Sequence, residues 1–456
     1  MSFTFHVIGL PYSASNQVYV SCAFTQGVIH FCKMMKALGH TVKHYGHKDS
    51  KVDCDYHTTI SDDNDLQCWY GKDFVKKQTW KEKGFSYSND RCRSIFYDRL
   101  LKVLKTYVVE KDFICVFDGS LFVEYINTKT FPFLWEKCFV VEPQIGHCGP
   151  FYSYRVYTSH ALRIFCQRND LYNQSLKTMF QDFKDNKLRH ESQVSSYFQP
   201  HSYAIPTDTV IPYCIDPSDF KTDDILLPII EDDYFVFIAR IATCKGLEKV
   251  IYATELENKK LVVAGPGSWE GQSVGGAHIS VQKAYSILKF IKDGKKDPNI
   301  PPNVLTLMES NLNINAQNIN IELLPIPPHV TFVGFADLRQ RKSLLYHSKA
   351  FIIAPTYEEP FGKVSIESLF MGKPIITSAR GGYNEVVEHG KTGFLCNTLS
   401  DMRKAIQNVD QINPEDCKEA SKKYTLESVQ RLYDDYFKKI YHLSCPENRN
   451  NVWYNL

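Results

Sequence analysis

Twice along this chain, apolar runs of strand length alternate with segments of helical periodicity, and that rhythm restricts the fold more than any single motif does. The first round opens with FTFHVIGL (3–10), an apolar run fit for a central strand. GVIHFCKMMKALGH (27–40) then places Val28, Phe31, Met34 or Met35, and Leu38 at helical spacing, and Gly39 closes it. TVKHYG follows as the next strand. A strand, a crossover helix and a strand make a parallel pair, because a tight turn can join only antiparallel neighbours. The alternation continues through SIFYDRLLKVLKTYVV, FICVFDG ending at Asp118, and KCFVVEPQIGHCG, whose strand ends near Glu142. After TVIPYCIDPSDF (209–220) it restarts with DYFVFIAR, GLEKVIYATEL, KKLVVAGPG, VTFVGF, LRQRKSLLYHS, KAFIIAPT, KVSIESLFMG and KPIITSA.

The expected architecture is α/β, with two Rossmann-like doubly wound domains facing each other, 1–212 and 213–424. At 456 residues the chain is long enough for two or three cores. Ligands in such folds bind beyond the carboxyl ends of the strands. A final helix (426–443) sets Leu426, Val429, Tyr433, Tyr436 and Ile440 on one stripe that must pack on something. One interval, 268–328, breaks the rhythm and includes the asparagine-rich NLNINAQNINI; it reads as a mobile insertion with one helix near 281–291.

Composition narrows the function classes. A formal net charge of +2 gives no reason to expect nucleic acid as the main partner. Fourteen cysteines include no CxxC pair, and several lie in apolar runs, so buried free thiols in a reducing compartment are expected. No signal-like N-terminus and no run approaching ~18 apolar residues is present, which places the chain in the cytoplasm or at most on a membrane surface. RLLKVLKTYVV (99–109) reads as a core-facing helix, with a lipid-facing surface as the alternative. The acidic clusters at Asp53, Asp55 and 62–65 read as solvated loops rather than a metal site.

The chemistry concentrates in APTYEEPFGKVSIESLFMGKPIITSARGGYNEVVEHGKTGFLC (354–396). Glu359 falls just before a helix that starts near Gly362, and Glu367 about five residues inside it. At ~1.5 Å of rise per residue the two carboxylates stand roughly 8 Å or more apart along the axis. Between them lie backbone N–H groups of Gly362 and Lys363, where the helix dipole favours an anion. The order carboxylate, anion site, carboxylate matches sugar hydroxyls, diphosphate and ribose hydroxyls in a nucleotide sugar. Upstream, Arg240 ends a strand and Lys245 opens the next helix, a cation pair suited to a diphosphate. Gly265 and Gly267 make a glycine turn after another strand. Each fragment alone also fits a bland reading: acidic first turns of a helix, a solvated surface pair, a tight turn.

Taken together and in this order, the fragments resemble the retaining GT-B glycosyltransferases of the GT4-like group, almost continuously from 210 to 394 apart from the insertion. CAFTQGVIHFCKMMKALGHTVKHYG and VVEPQIGHCGPFYSYRVYTSH resemble a bacterial or viral subgroup more weakly. The resemblance implies that the last helix returns to the first domain, so that 425–456 completes it. It implies a donor site on the second domain, formed by Glu367, Phe361, Gly362, Lys363, Gly265 and Gly334, with catalytic Glu359, Arg240 and Lys245. Glu359 would bind hydroxyls of the transferred sugar, Glu367 the ribose, and the two cations the departing diphosphate. Base selectivity would come from backbone near Gly334 and Phe335. The acceptor, a glycan, glycoprotein or glycolipid, would sit on the first domain, where Glu142, His147 and His160 compete for the sugar side; peripheral membrane contact stays open. The implied reaction retains anomeric configuration and needs no metal or other cofactor beyond its nucleotide-sugar donor. Ala239 replaces a usual glycine and Tyr213-Cys214 a usual Asn-Gly, and neither change removes a charged group. Three readings compete: an inverting GT-B transferase with Asp118 or His147 as base, a hydrolysing nucleotide-sugar epimerase, and a non-catalytic scaffold.

Overall fold

The computed structural model describes residues 1–19, 22–72, 90–146, 154–167, 207–231, 233–271, 279–292 and 321–444. Seven strands build the first sheet: β1 (Thr4–Ile8), β2 (Thr41–His47), β3 (Tyr56–Ser61), β4 (Phe113–Val116), β5 (Phe139–Ile145), β6 (Tyr154–Tyr157) and β7 (Thr209–Val210). Six build the second: β8 (Tyr234–Ile238), β9 (Lys260–Ala264), β10 (Val330–Gly334), β11 (Ala350–Ile353), β12 (Ile375–Ser378) and β13 (Gly393–Cys396). Every neighbouring pair in both sheets is parallel. The orders are β3-β2-β1-β4-β5-β6-β7 and β10-β9-β8-β11-β12-β13. The direction of winding therefore reverses between β1 and β4 in one sheet and between β8 and β11 in the other. Connections leave such a point in opposite directions and open a crevice above it.

Residues alternate across the first sheet with the strand period of two. Phe5, Val7, Phe113, Cys115, Phe139 and Val141 enter one core, and Ile8, Ile114, Val116 and Val140 the other. Both faces are covered, which is why these strands read as continuous apolar runs. His6 is the polar exception: fully buried, its Nε2 lies 2.8 Å from Asp112 Oδ2 and its Nδ1 2.7 Å from the Tyr45 hydroxyl. Burial holds its pKa below the usual imidazole value, so the ring is neutral and works as a hydrogen-bonded strut. The terminal helix Leu426–Ser444 lies on the first core, with the Phe437 ring 4.7 Å from Phe5 and 5.0 Å from Phe113.

Several local outcomes differ from the sequence reading. The first helix runs Ala23–Ala37 and so begins before Gly27. Gly27 is a point of close approach inside the helix, because a Cβ there would lie 1.7 Å from Gln144 Oε1. The stretch between the acidic clusters is the edge strand β3, whose exposed polar residues hide its period. Asp62 is not a loop residue of a solvated cluster. It caps the helix Asp63–Tyr70 by accepting from Asn64 N (2.8 Å) and Asp65 N (3.3 Å), while Asp65 accepts from Asp62 N (3.0 Å). Inside the irregular interval, Val281–Lys292 is a helix whose Val281, Ala284, Tyr285, Ile287 and Leu288 enter the second core, which makes it part of the crossover from β9 to β10. Residues 293–320 of that interval lie outside the described residues.

The helix Asp90–Tyr107 buries Phe96, Leu100 and Leu104, and its exposed large apolar side chains are confined to its end, at Tyr107 and at Val109 just beyond it. Among the described residues no helix is long and apolar enough to cross a membrane. All twelve cysteines described are free, and ten of them are buried.

Candidate active site

The loops after β8 and β11 rise side by side at the second switch point and are tied together by their backbones. Thr356 N donates to Cys244 O (2.9 Å) and Ala354 N to Lys245 O (3.3 Å). This brings together two side chains that are 114 positions apart: Lys245 Nζ meets Glu359 Oε2 at 2.7 Å. The Tyr357 hydroxyl contacts both the ammonium and the same carboxylate oxygen. Lys245 and Glu359 keep 14% and 12% of their side-chain surface, enough for a ligand to reach them but too little for free hydration. Arg240 is exposed on the same loop.

A third loop, 379–382, closes over this pair. Gly382 N donates to Glu359 O (2.7 Å), and Gly381 N donates to the Glu358 carboxylate (2.7 Å). Gly381 has φ +57°, and a Cβ there would sit 2.3 Å from Glu359 O, so the double glycine is what lets the backbones touch. Gly362, at φ +83°, precedes the helix Lys363–Phe370, and a Cβ there would strike the Tyr383 ring at 2.5 Å.

The other donor-side candidates are distributed differently. Phe361 is buried, 5.4 Å from the Tyr213 ring and 5.7 Å from Tyr424, as part of the packing between the linker and the second domain. Glu367 is buried on the second turn, with Arg341 Nη2 3.2 Å from Oε1 and Nε 3.2 Å from Oε2. Gly265 packs against the end of β8, where a Cβ would lie 1.8 Å from Ala239 O; Gly334 faces open space at the end of β10. On the first domain, Glu142 is fully buried and accepts from Gly119 N (3.2 Å). The His160 side chain is exposed, and His147 lies outside the described residues.

The Lys363 side chain lies beside the linker residue Tyr213. Its buried Nζ has no hydrogen-bond partner among the described residues and lies 5.5 Å from the centre of the Tyr213 ring. Burial lowers its pKa to about 8, against opposing pulls from Cys214 and Glu367. Burial and then the Lys363 charge push the neighbouring His30 down to about 3. Between pH 8 and about 10.5 the unfolded chain binds a proton that the folded chain does not, so stability rises with pH across that window. Below it the folded state carries the full cost of a buried charge. Lys363→Met is expected to stabilise the protein at pH 7 by up to about 3 kcal/mol, with the gain vanishing towards pH 10. Urea unfolding at the two pH values checks this.

Three further contributors escaped the sequence reading. Glu385 reaches the first domain and accepts from His160 N (3.0 Å) and Ala161 N (2.8 Å), capping the helical stretch 160–167 from across the interface. Ser159 Oγ donates to Pro360 O (2.6 Å), next to Glu359. Their partners are backbone atoms, which leave no trace in residue identity. Tyr357 is the third, two positions from Glu359.

Among the described residues, His47, Asp49 and Asp63 are the one group of three or more whose ligand-type atoms all lie within 4.8 Å of one another. His47 Nδ1 accepts from Asp49 N (3.1 Å), which leaves the ring proton on Nε2 and no lone pair to offer an ion.

Two parallel doubly wound sheets, with a site at the switch point of the second and the last helix returned to the first, define the GT-B glycosyltransferase fold. Solved structures agree over nearly the whole chain. AviGT4, a glycosyltransferase involved in avilamycin A biosynthesis, superposes with TM-score 0.55 at 13% identity, covering 96% of this chain and 98% of its own. Anabaena Alr3699/HepE, solved in complex with UDP-glucose, gives TM-score 0.52 at 12% identity, covering 96% and 99%. Residues 319–424 match the family model Glycosyl transferases group 1. Sequence relatives match part of the chain. The chain is 32% identical over 146 residues to the α-1,3/1,6-mannosyltransferase ALG2 of Dictyostelium discoideum, 31% of each chain. It is 36% identical over 85 residues to spore coat protein SA of Bacillus subtilis, 19% of this chain and 22% of that one. Each of these two matches spans under a third of the relative's own length.

Proposed function

We propose that this protein transfers a sugar from a nucleotide-diphosphate sugar to an acceptor hydroxyl, with retention at the anomeric carbon and without a metal. The observation that carries the reading is the meeting of Lys245 with Glu359 at the switch point, 2.7 Å apart and only partly buried. In the donor complex Lys245 exchanges its carboxylate partner for the diphosphate, and Glu359 turns to the hydroxyls of the sugar. The bond from the anomeric carbon to the β-phosphate oxygen breaks, and its electron pair leaves with the phosphate. Arg240, Lys245 and the backbone N–H groups of Gly362 and Lys363 stabilise that charge where it develops. The acceptor oxygen bonds to the same face of the anomeric carbon, and its proton passes to the departing phosphate oxygen.

The cations and the helix N-terminus supply positive charge at the leaving group, which supports transfer without a divalent ion. Glu367 takes the ribose hydroxyls in this reading only by loosening one bond to Arg341. The acceptor lies against the first domain. Free thiols at every described cysteine support a reducing, cytoplasmic compartment.

A thermal-shift screen of UDP, GDP and ADP and their sugars tests the reading, since ligands that bind only the folded state stabilise it by mass action. One nucleotide series is expected to raise the melting temperature, and donor turnover to need an added glycan. Turnover to free sugar at full rate without acceptor would instead favour a hydrolysing epimerase.

A further inference from the structure

The Tyr357 phenol stands between the two charged groups of the site. Its oxygen accepts from Lys245 Nζ and its O–H donates to Glu359 Oε2, while the Lys245 ammonium also lies 5.0 Å from the centre of its ring. Burial and the adjacent Glu359 carboxylate raise the phenol pKa well above its usual value, so this group stays a donor at any working pH. Lys245 and Tyr357 act on the same carboxylate oxygen, Oε2.

We propose that Tyr357 is a positioning residue for sugar transfer, one that holds the Glu359 carboxylate in register after Lys245 has moved to the diphosphate. The inference rests on the donor-site reading above. Two donors pin Oε2 in the structure. When the diphosphate draws Lys245 away, the phenol alone keeps that oxygen anchored, and Oε1 is presented to the hydroxyls of the sugar. A neutral donor suits this role: it orients the carboxylate without competing for the phosphate. Without it, the carboxylate can follow the lysine towards the phosphate or rotate out of line with the sugar.

Tyr357→Phe removes the hydroxyl and keeps the ring beneath the ammonium. A hydrogen bond to a charged group, lost where geometry matters, predicts a fall in kcat of about 10- to 100-fold. UDP, GDP and ADP serve as binding probes by calorimetry, and UDP-glucose and GDP-mannose as donors for turnover. The affinity for the nucleotide that binds the wild type is expected to stay within about twofold, because the phosphate grip does not involve the hydroxyl. In a Glu359→Ala background the same substitution is expected to cost nothing further, since no carboxylate remains to be held. A variant that turns over at the wild-type rate overturns the assignment. So does one that loses nucleotide affinity in step with kcat, or one that loses as much kcat in the Glu359→Ala background, since either marks a merely structural tyrosine. Wild-type protein that binds none of the three nucleotides overturns the donor reading and this role with it; the other failures leave the donor reading standing.

Discussion

Glu359→Ala is expected to lower turnover about 100- to 1,000-fold while the nucleoside diphosphate binds as well as before, or better. The first half follows from where the carboxylate sits. It is preorganised by Lys245 and Tyr357 at the edge of the crevice, and a polar group aimed at the reacting sugar is worth about 3 kcal/mol of barrier. The second half follows from charge. Removing an anion 2.7 Å from Lys245 leaves the ammonium free for phosphate and takes away a repulsion. Steady-state rates with calorimetry of the diphosphate measure both halves. Unchanged turnover would remove Glu359 from the site, and a parallel loss of both would mean the loop had collapsed.

Arg341→Met is expected to cost the fold about 3–5 kcal/mol, the typical result of stranding one partner of a buried ion pair. Arg341 and Glu367 keep only 9% and 2% of their side-chain surface, and the guanidinium grips both carboxylate oxygens. The pair joins helix Leu338–His347 to helix Lys363–Phe370. By contrast Arg431 and Glu427, at 72% and 75%, form a surface pair worth a few tenths of a kcal/mol. The double variant Arg341→Met with Glu367→Leu is expected to recover most of the loss, because it removes the stranded charge as well as its partner. Urea unfolding of the single and double variants decides the stability question. Calorimetry of the stable double variant then asks whether Glu367 matters for the nucleotide: undiminished binding takes the ribose role away from it.

The legibility of the site varied with the kind of contact. Lys245 and Glu359 were readable because charged residues at strand-to-helix junctions are few and their order is distinctive. Phe361, read as a donor contact, is buried against Tyr213 and Tyr424, a placement that depends on a linker from another part of the chain. Glu385 was passed over because its partners are the amides of His160 and Ala161. Gly27 was read as a helix start, yet it marks where the helix must clear Gln144.

Local patterning alone decided that this chain would form two parallel doubly wound sheets, since apolar period and turn residues act within a few positions and need no partner to be seen. It also decided which loops would carry charge at the strand ends. Pairing was a different matter. That Lys245 meets Glu359 with Tyr357 bonded to both, that Glu367 is spent on Arg341, and that Lys363 turns under Tyr213 were settled only by the tertiary structure. Those outcomes depend on distances and burial between segments far apart in the chain, and such quantities exist only once the chain has folded.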